Sequence, residues 1–322
     1  MNVRRRLIPA TATAGAVALG LVVLSACSGS PAASAKADGK LDVVASFYPM
    51  QFLAEEIGGS HVSVTNLTKP GVEPHDLELS PRQTASLSEA DAIVYLKGLQ
   101  PAVDDAIAQS GVKNTADAAS LTSLEDHGTE VDGHDHSTSD NHSHSESDAG
   151  ADPHIWLDPV KYAEVAKGVN KTLAAADPEH KAEYQKNTDE LVKELGALNT
   201  KFEDGLKNRT SDTFITTHAA FGYLAERYGL TEEAISGIDP ETEPSAARIK
   251  DLHHLAEEHH VSTVFFETIA SPDTAKTLAG DLGVTTDVLD PLEGITKKSK
   301  GDNYFEVMES NLAALQKALG AK

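Results

Sequence analysis

Residues 177–208, DPEHKAEYQKNTDELVKELGALNTKFEDGLKN, separate two stretches of strand–helix alternation, and how they are read decides the fold. Asp177-Pro178 supplies a cap and a proline at the first helical position, and no strong breaker follows before Asn208. Tyr184, Leu191, Leu195, Leu198, Phe202 and Leu206 recur at three-, four- and seven-residue spacings, the stripe of an amphipathic helix. A helix of about thirty residues would be ~45 Å long, enough to run along two lobes. The rival is a pair of shorter helices broken at Gly196, which costs a helix ~1 kcal/mol.

Upstream, Leu41–Phe47 reads as a buried strand, Gln51–Ile57 as a helix, and Val62–Leu67 as a strand. Ser80-Pro81-Arg82-Gln83 is a helix start in which Ser caps and Gln reaches back. Ala92–Leu96 is a further strand and Pro101–Gln109 a further helix. Downstream the pattern restarts. Strands are expected at Thr213–Thr217, Ala234–Ile238, Val261–Phe266 and Thr285–Leu289. Helices are expected at Phe221–Tyr228, Ser245–His259, Asp273–Leu282 and Asp302–Leu319. Such alternation argues for parallel sheets covered by helices. The expected fold class is therefore α/β: an N-terminal lobe at 41–176, a linking helix at 177–208 and a C-terminal lobe at 209–322.

The chain has 322 residues and pairs 27 Lys and Arg with 50 Asp and Glu, for a net charge of -23. That balance suits attracting cations and disfavours nucleic acid, whose backbone is held by Lys and Arg. A single cysteine stands against 14 histidines. One Cys excludes an internal disulfide and any multi-cysteine zinc or iron–sulfur site.

Residues 1–26 read as an export signal: Arg4-Arg5-Arg6, an apolar run from Leu7 to Leu24, then Leu24-Ser25-Ala26-Cys27. That ending resembles a bacterial lipobox, which implies cleavage before Cys27, a lipid on its sulfur and an extracytoplasmic protein tethered to the cell membrane. The alternative, a transmembrane anchor, is short of the ~20 apolar residues a span needs. Residues 27–40 have a tether's composition.

The histidines fall into groups. His127, His134, His136, His142 and His144 lie within 125–150, a stretch with eight acids and neither Lys nor Arg. It cannot fold alone and is expected to be a mobile loop that binds metal weakly and repeatedly. His75, His154 and His218 are dispersed, each at a strand end or in a loop, where open α/β sheets present ligands. With Asp290 or Glu293 after the last strand they make a four-ligand N/O set suited to zinc. Binding needs neutral imidazoles, so affinity is expected to fall below about pH 6. His253, His254, His259 and His260 lie around one helix and read as a solvated face, with a second site as the rival. His61 and His180 carry no functional reading.

Four motifs carry a resemblance. They are Gly71-Val72-Glu73-Pro74-His75-Asp76, Asp152-Pro153-His154-Ile155-Trp156-Leu157-Asp158-Pro159, Thr217-His218-Ala219-Ala220-Phe221-Gly222-Tyr223-Leu224 and Leu289-Asp290-Pro291-Leu292-Glu293-Gly294. Together they resemble the zinc and manganese solute-binding lipoproteins of bacterial ABC importers (cluster A-I, zinc-uptake ZnuA type), from Leu41 to Leu319. The resemblance implies the metal-type periplasmic-binding-protein fold, two α/β lobes joined by one rigid helix with the metal between them. It implies His75, His154 and His218 as imidazole ligands, and His218 in the third position favours Zn2+ over manganese. The fourth ligand is Glu293 or Asp290. Asp290 could instead cap the turn at Pro291, which favours Glu293. The implied function is zinc capture and delivery to an ABC permease by a monomer that is not an enzyme. Rival readings are an extracellular zinc buffer or adhesin without transport, manganese uptake, and a zinc hydrolase. The last lacks a His-Glu-x-x-His motif and an obvious general base.

Overall fold

The computed structural model describes residues 39–127 and 151–322. The signal segment, Cys27, and the loop residues His134, His136, His142 and His144 lie outside the described residues. Among the described residues, no helix is long and apolar enough to cross a membrane.

The N-terminal lobe runs β1 (Leu41–Ala45), α1 (Tyr48–Gly58), β2 (Val62–Asn66), α2 (Pro81–Glu89), β3 (Ala92–Tyr95), α3 (Pro101–Ser110), β4 (Thr115–Asp117) and α4 (Pro159–Ala176). Helix α5 (Lys181–Leu206) follows. The C-terminal lobe is β5 (Thr213–Thr216), α6 (Gly222–Tyr228), β6 (Thr231–Ala234), α7 (Ala246–Glu258), β7 (Thr263–Phe266), α8 (Asp273–Leu282), β8 (Thr285–Val288) and α9 (Tyr304–Leu319). Both sheets are four-stranded and parallel, in the orders β2-β1-β3-β4 and β6-β5-β7-β8. The two lobes therefore repeat one topology.

Strands β1 and β5 are buried on both faces, as parallel sheets require. Alternate side chains serve different layers. Val43 and Phe214 join one core that runs continuously from Leu41 to Leu319 through both lobes. Val44 and Ile215 face separate outer clusters beneath each lobe's own helices. Helix α5 holds the common core, with Tyr184, Leu191, Leu195, Leu198, Phe202 and Leu206 all buried. It carries Asn187 to the Ile57 carbonyl on the N-terminal side, and Phe202 stacks on Tyr228 at 5.1 Å on the other. A cluster of Phe52, Tyr162 and Tyr304 adds a second weld between the lobes.

The long helix is unbroken but shorter than expected, 26 residues or about 39 Å. Asp177-Pro178 does not start it. The Asp177 N–H donates to Leu173 O and closes α4, while its carboxylate accepts from His180 Nδ1 (2.6 Å) and Tyr184 Oη (2.7 Å). The unforeseen 18-residue α4 begins at the other Asp-Pro pair, where Asp158 Oδ1 accepts from Val160 N at 2.8 Å. Strand β6 also lies earlier than the apolar Ala234–Ile238 run. It is a polar edge strand, and buried Ile235 follows it into the outer cluster. The Ser80 capping box is present as expected, with both Ser80 and Gln83 reciprocating.

Gly196 faces open space, since a Cβ there would meet nothing within 4 Å. Gly196→Ala is therefore expected to stabilise the protein by about 0.8–1.0 kcal/mol, read as a rise in thermal midpoint. No change or a fall would mean that α5 is not helical through that position.

Candidate metal centre

His75, His218 and Glu293 follow β2, β5 and β8, and His154 comes at the end of the connection from β4 to α4. His75 lies in the irregular segment between β2 and α2, where Gly71 (φ 80°) turns the chain and the His75 N–H donates to Glu73 Oε1 at 3.0 Å. His154 precedes a short 3-10 turn, and its N–H donates to Asp152 Oδ1 at 2.9 Å. His218 follows β5, and Glu293 follows β8.

Glu293 is aimed by a tight turn. Asp290 Oδ1 accepts from Leu292 N (2.9 Å) and its Oδ2 lies 3.1 Å from the Thr268 hydroxyl. Asn311 clamps the Asp290 backbone from both sides, at 2.9 and 2.7 Å. Trp156 Nε1 donates to Pro291 O at 2.7 Å, tying the turn to the His154 segment. Leu292 sits at φ 60°, a left-handed conformation that costs a branched residue about 1–3 kcal/mol. Full burial of its side chain offsets that strain.

The Nε2 atoms of His75, His154 and His218 lie 3.3, 3.4 and 3.5 Å from the same oxygen, Glu293 Oε1. His154 and His218 are 3.4 Å apart at Nε2. Ligand atoms of these four residues all lie within 4.8 Å of one another. Asp290 is not in the cluster, because both its oxygens hold the turn. His154, His218 and Glu293 are fully buried, while His75 keeps 9 % of its side chain exposed.

Two carboxylates that sequence reasoning did not assign stand behind the imidazoles. Asp152 Oδ1 accepts from His154 Nδ1 at 2.7 Å, and Glu267 Oε1 from His218 Nδ1 at 2.6 Å. With Nδ1 donating to a carboxylate, each Nε2 is left to point towards Glu293, the arrangement that raises ligand basicity at metal centres. Burial by itself would lower the His154 pKa, but Asp152 and Glu293 outweigh it and hold it up at about 9. His218 is likewise raised against the pull of burial, by Glu267 and then Glu293. Burial would raise Glu293, yet the three histidines hold it well below the usual carboxylate range. Glu73 is pushed up to about 8 by burial and by the charge of Glu293.

Asp152 was legible only as part of a motif. An Asp two residues ahead of a histidine, able to take that residue's own N–H, is the signal that would have found it. Glu267 lies 49 residues from His218 and had no such mark. Replacing Asp152 with Asn, or Glu267 with Gln, should weaken metal binding ten- to a hundredfold without removing a ligand. A chelator competition assay reads this, and unchanged affinity in both variants would mean that the carboxylates do not tune the imidazoles.

Of the remaining histidines, His127 is brought against Asp152 (3.1 Å) and Glu226 (3.1 Å). His61 and His180 stack at 3.8 Å beside Glu183 and Asp177. His253, His254, His259 and His260 join neither of the two ligand clusters found among the described residues. His254 lies 3.5 Å from exposed Glu258, as on a solvated face.

Residues 43–318 match the family model described as zinc-uptake complex component A, periplasmic. The chain is 36 % identical over 318 residues to the high-affinity zinc uptake system protein ZnuA of Bacillus subtilis, covering 94 % of this chain and 98 % of that one. It is 35 % identical over 287 residues to the zinc-binding lipoprotein AdcA of Streptococcus pneumoniae, covering 87 % of this chain. The chain spans about half of AdcA, 56 % of its length. The crystal structure of Zn(II)-bound AdcA superposes with a TM-score of 0.72 at 33 % identity, over 88 % of this chain and 59 % of that one. A laminin-binding protein of Streptococcus agalactiae, described as bifunctional with adhesin and metal-transporting activity, superposes with a TM-score of 0.75 at 32 % identity over 87 % and 99 % of the two chains.

Proposed function

The chain belongs to the zinc-uptake complex component A family, and from that premise we propose that it captures Zn2+ outside the cytoplasm and delivers it to an ABC permease. His75, His154, His218 and Glu293 are the proposed ligands. One observation carries this reading: three imidazole Nε2 atoms converge on one carboxylate oxygen at 3.3–3.5 Å. A tetrahedral zinc with bonds of about 2.0–2.2 Å separates its ligand atoms by about 3.3–3.6 Å. Manganese favours six oxygen-rich positions, which a closed set of three nitrogens and one oxygen does not offer.

Charge supports the same cargo. Three neutral imidazoles and one carboxylate would leave a bound Zn2+ with one positive charge buried, and Asp152 and Glu267 reverse it. Release is proposed to begin at His75, the one ligand with solvent access, whose segment is held by turns and not by a sheet. The welded core between the lobes supports local exchange in place of a wide hinge. Export, lipid attachment at Cys27, a monomeric state and weaker zinc binding by the loop at 125–150 are part of the proposal.

The test is the zinc affinity of His75→Ala, His154→Ala and His218→Ala by competition with a chromophoric chelator. Each is expected to lose tight one-to-one binding, and unchanged binding in all three would sink the assignment. Adhesion is a second reading, favoured by the name of the Streptococcus agalactiae relative. Growth of a deletion strain under chelation separates the two. Rescue by added zinc supports uptake, and normal growth supports adhesion or buffering alone.

A further inference from the structure

His127 is partnered at both ring nitrogens. Its Nδ1 lies 3.1 Å from Asp152 Oδ2, while the other oxygen of that carboxylate takes His154. The Tyr223 ring packs edge-on against it at 4.5 Å. Gly222 leaves room for it: a Cβ there would stand 2.6 Å from His127 Cγ and 2.9 Å from Asp152 Oδ2. The backbone at its root is fixed as well. Asp152 N donates to Glu125 O at 2.9 Å, Glu125 N to Tyr223 Oη at 2.8 Å, and Tyr223 Oη to Asp152 O at 2.8 Å.

Nδ1 faces Asp152 Oδ2 and Nε2 faces Glu226 Oε2, both at 3.1 Å, so the ring stands between two carboxylates. An imidazolium donates to both in the metal-free chain, and a divalent cation at Nε2 would take the place of the proton there. Glu125 completes the group, with ligand atoms of the three residues within 4.8 Å of one another. Glu125 and His127 belong to the N-terminal lobe, and Glu226 lies on α6 of the C-terminal lobe.

We propose that Glu125, His127 and Glu226 form a second divalent-cation site, which joins the two lobes and shares the Asp152 carboxylate with the cargo site. It is weaker than the cargo site for three reasons. It offers three ligands where the other offers four, the Glu226 and Glu125 side chains are 59 % and 38 % exposed, and Lys161 Nζ already holds Glu125 Oε1 at 2.7 Å. Because one buried carboxylate orients His127 and His154 together, a cation at either site fixes the acceptor that the other needs. That coupling rests on the reading of His154 as a cargo ligand. The second site itself does not.

Zinc alone is the probe. In the full chain with His134, His136, His142 and His144 replaced by alanine, equilibrium dialysis with metal analysis is expected to find one tight equivalent and one weaker. Glu226→Gln, an exposed change, should remove only the weaker equivalent. His218→Ala should remove only the tight one, so failure of the cargo site and failure of this site are told apart. Asp152→Asn should weaken both, about ten- to a hundredfold. A single equivalent in the parent chain, or a second that survives Glu226→Gln, would overturn the proposal. Loss of the tight equivalent alone in Asp152→Asn would remove the coupling.

Discussion

Glu293→Ala is expected to weaken zinc binding roughly a thousandfold, about 4 kcal/mol, with little change in the fold of the metal-free protein. The carboxylate is the common neighbour of all three imidazoles, so its loss opens the fourth position and leaves no anion at the centre of the cluster. Asp290→Ala should behave differently. Its carboxylate stabilises the turn by taking Leu292 N and lying 3.1 Å from the Thr268 hydroxyl. Removing it leaves a buried N–H unpaired, at a cost of about 1–3 kcal/mol of stability. It also frees the strained Leu292 to relax, which displaces Glu293 and costs affinity only about ten- to a hundredfold. Affinity measured by chelator competition and thermal midpoints of the metal-free forms separate the two roles. An Asp290→Ala variant that binds as weakly as Glu293→Ala, with its midpoint intact, would make Asp290 the ligand.

The same pair marks how far sequence reasoning reaches. Asp290 and Glu293 are both carboxylates after the last strand, and only the turn geometry separates the proposed ligand from the scaffold. The two Asp-Pro pairs pose a similar ambiguity. Asp158-Pro159 and Asp177-Pro178 carry the same helix-start signal, yet only the first opens a helix, because His180 and Tyr184 claim the second aspartate. Helix α4 was hidden for a related reason. It buries Gly168, Lys161 and Asn170 among small residues, so its apolar stripe is faint. The stripe of α5, built from Leu, Phe and Tyr, was plain. The three dispersed histidines were legible because each lies at a strand end or in a loop, where open α/β sheets present ligands. Two of the carboxylate partners were not, since Glu267 meets His218, and Glu226 meets His127, only across the folded chain.

Zinc affinity is expected to climb with pH well above the window that free imidazoles would set. An unperturbed histidine near pH 6.5 would confine proton competition to pH 6 and below. His154 is held up at about 9, and His218 moves in the same direction, because buried carboxylates face both rings. In the metal-free protein the His154 imidazole keeps its proton at neutral pH, and zinc must displace it. Each displaced proton weakens apparent affinity about tenfold per pH unit below its pKa, so one proton alone amounts to roughly 300-fold between pH 9 and 6.5. Stability of the metal-free fold runs the other way. A histidine whose folded pKa is raised contributes stability that is fully present below its unfolded value and is lost as pH rises through the folded one. The thermal midpoint of the metal-free protein should therefore fall between pH 6.5 and 9, while the increment produced by zinc grows. Titrations in weakly buffered solution should register proton release on zinc binding at pH 7. A flat affinity from pH 7 to 9, with no proton release, would mean that the imidazoles are already neutral and that Asp152 and Glu267 orient them without holding their charge.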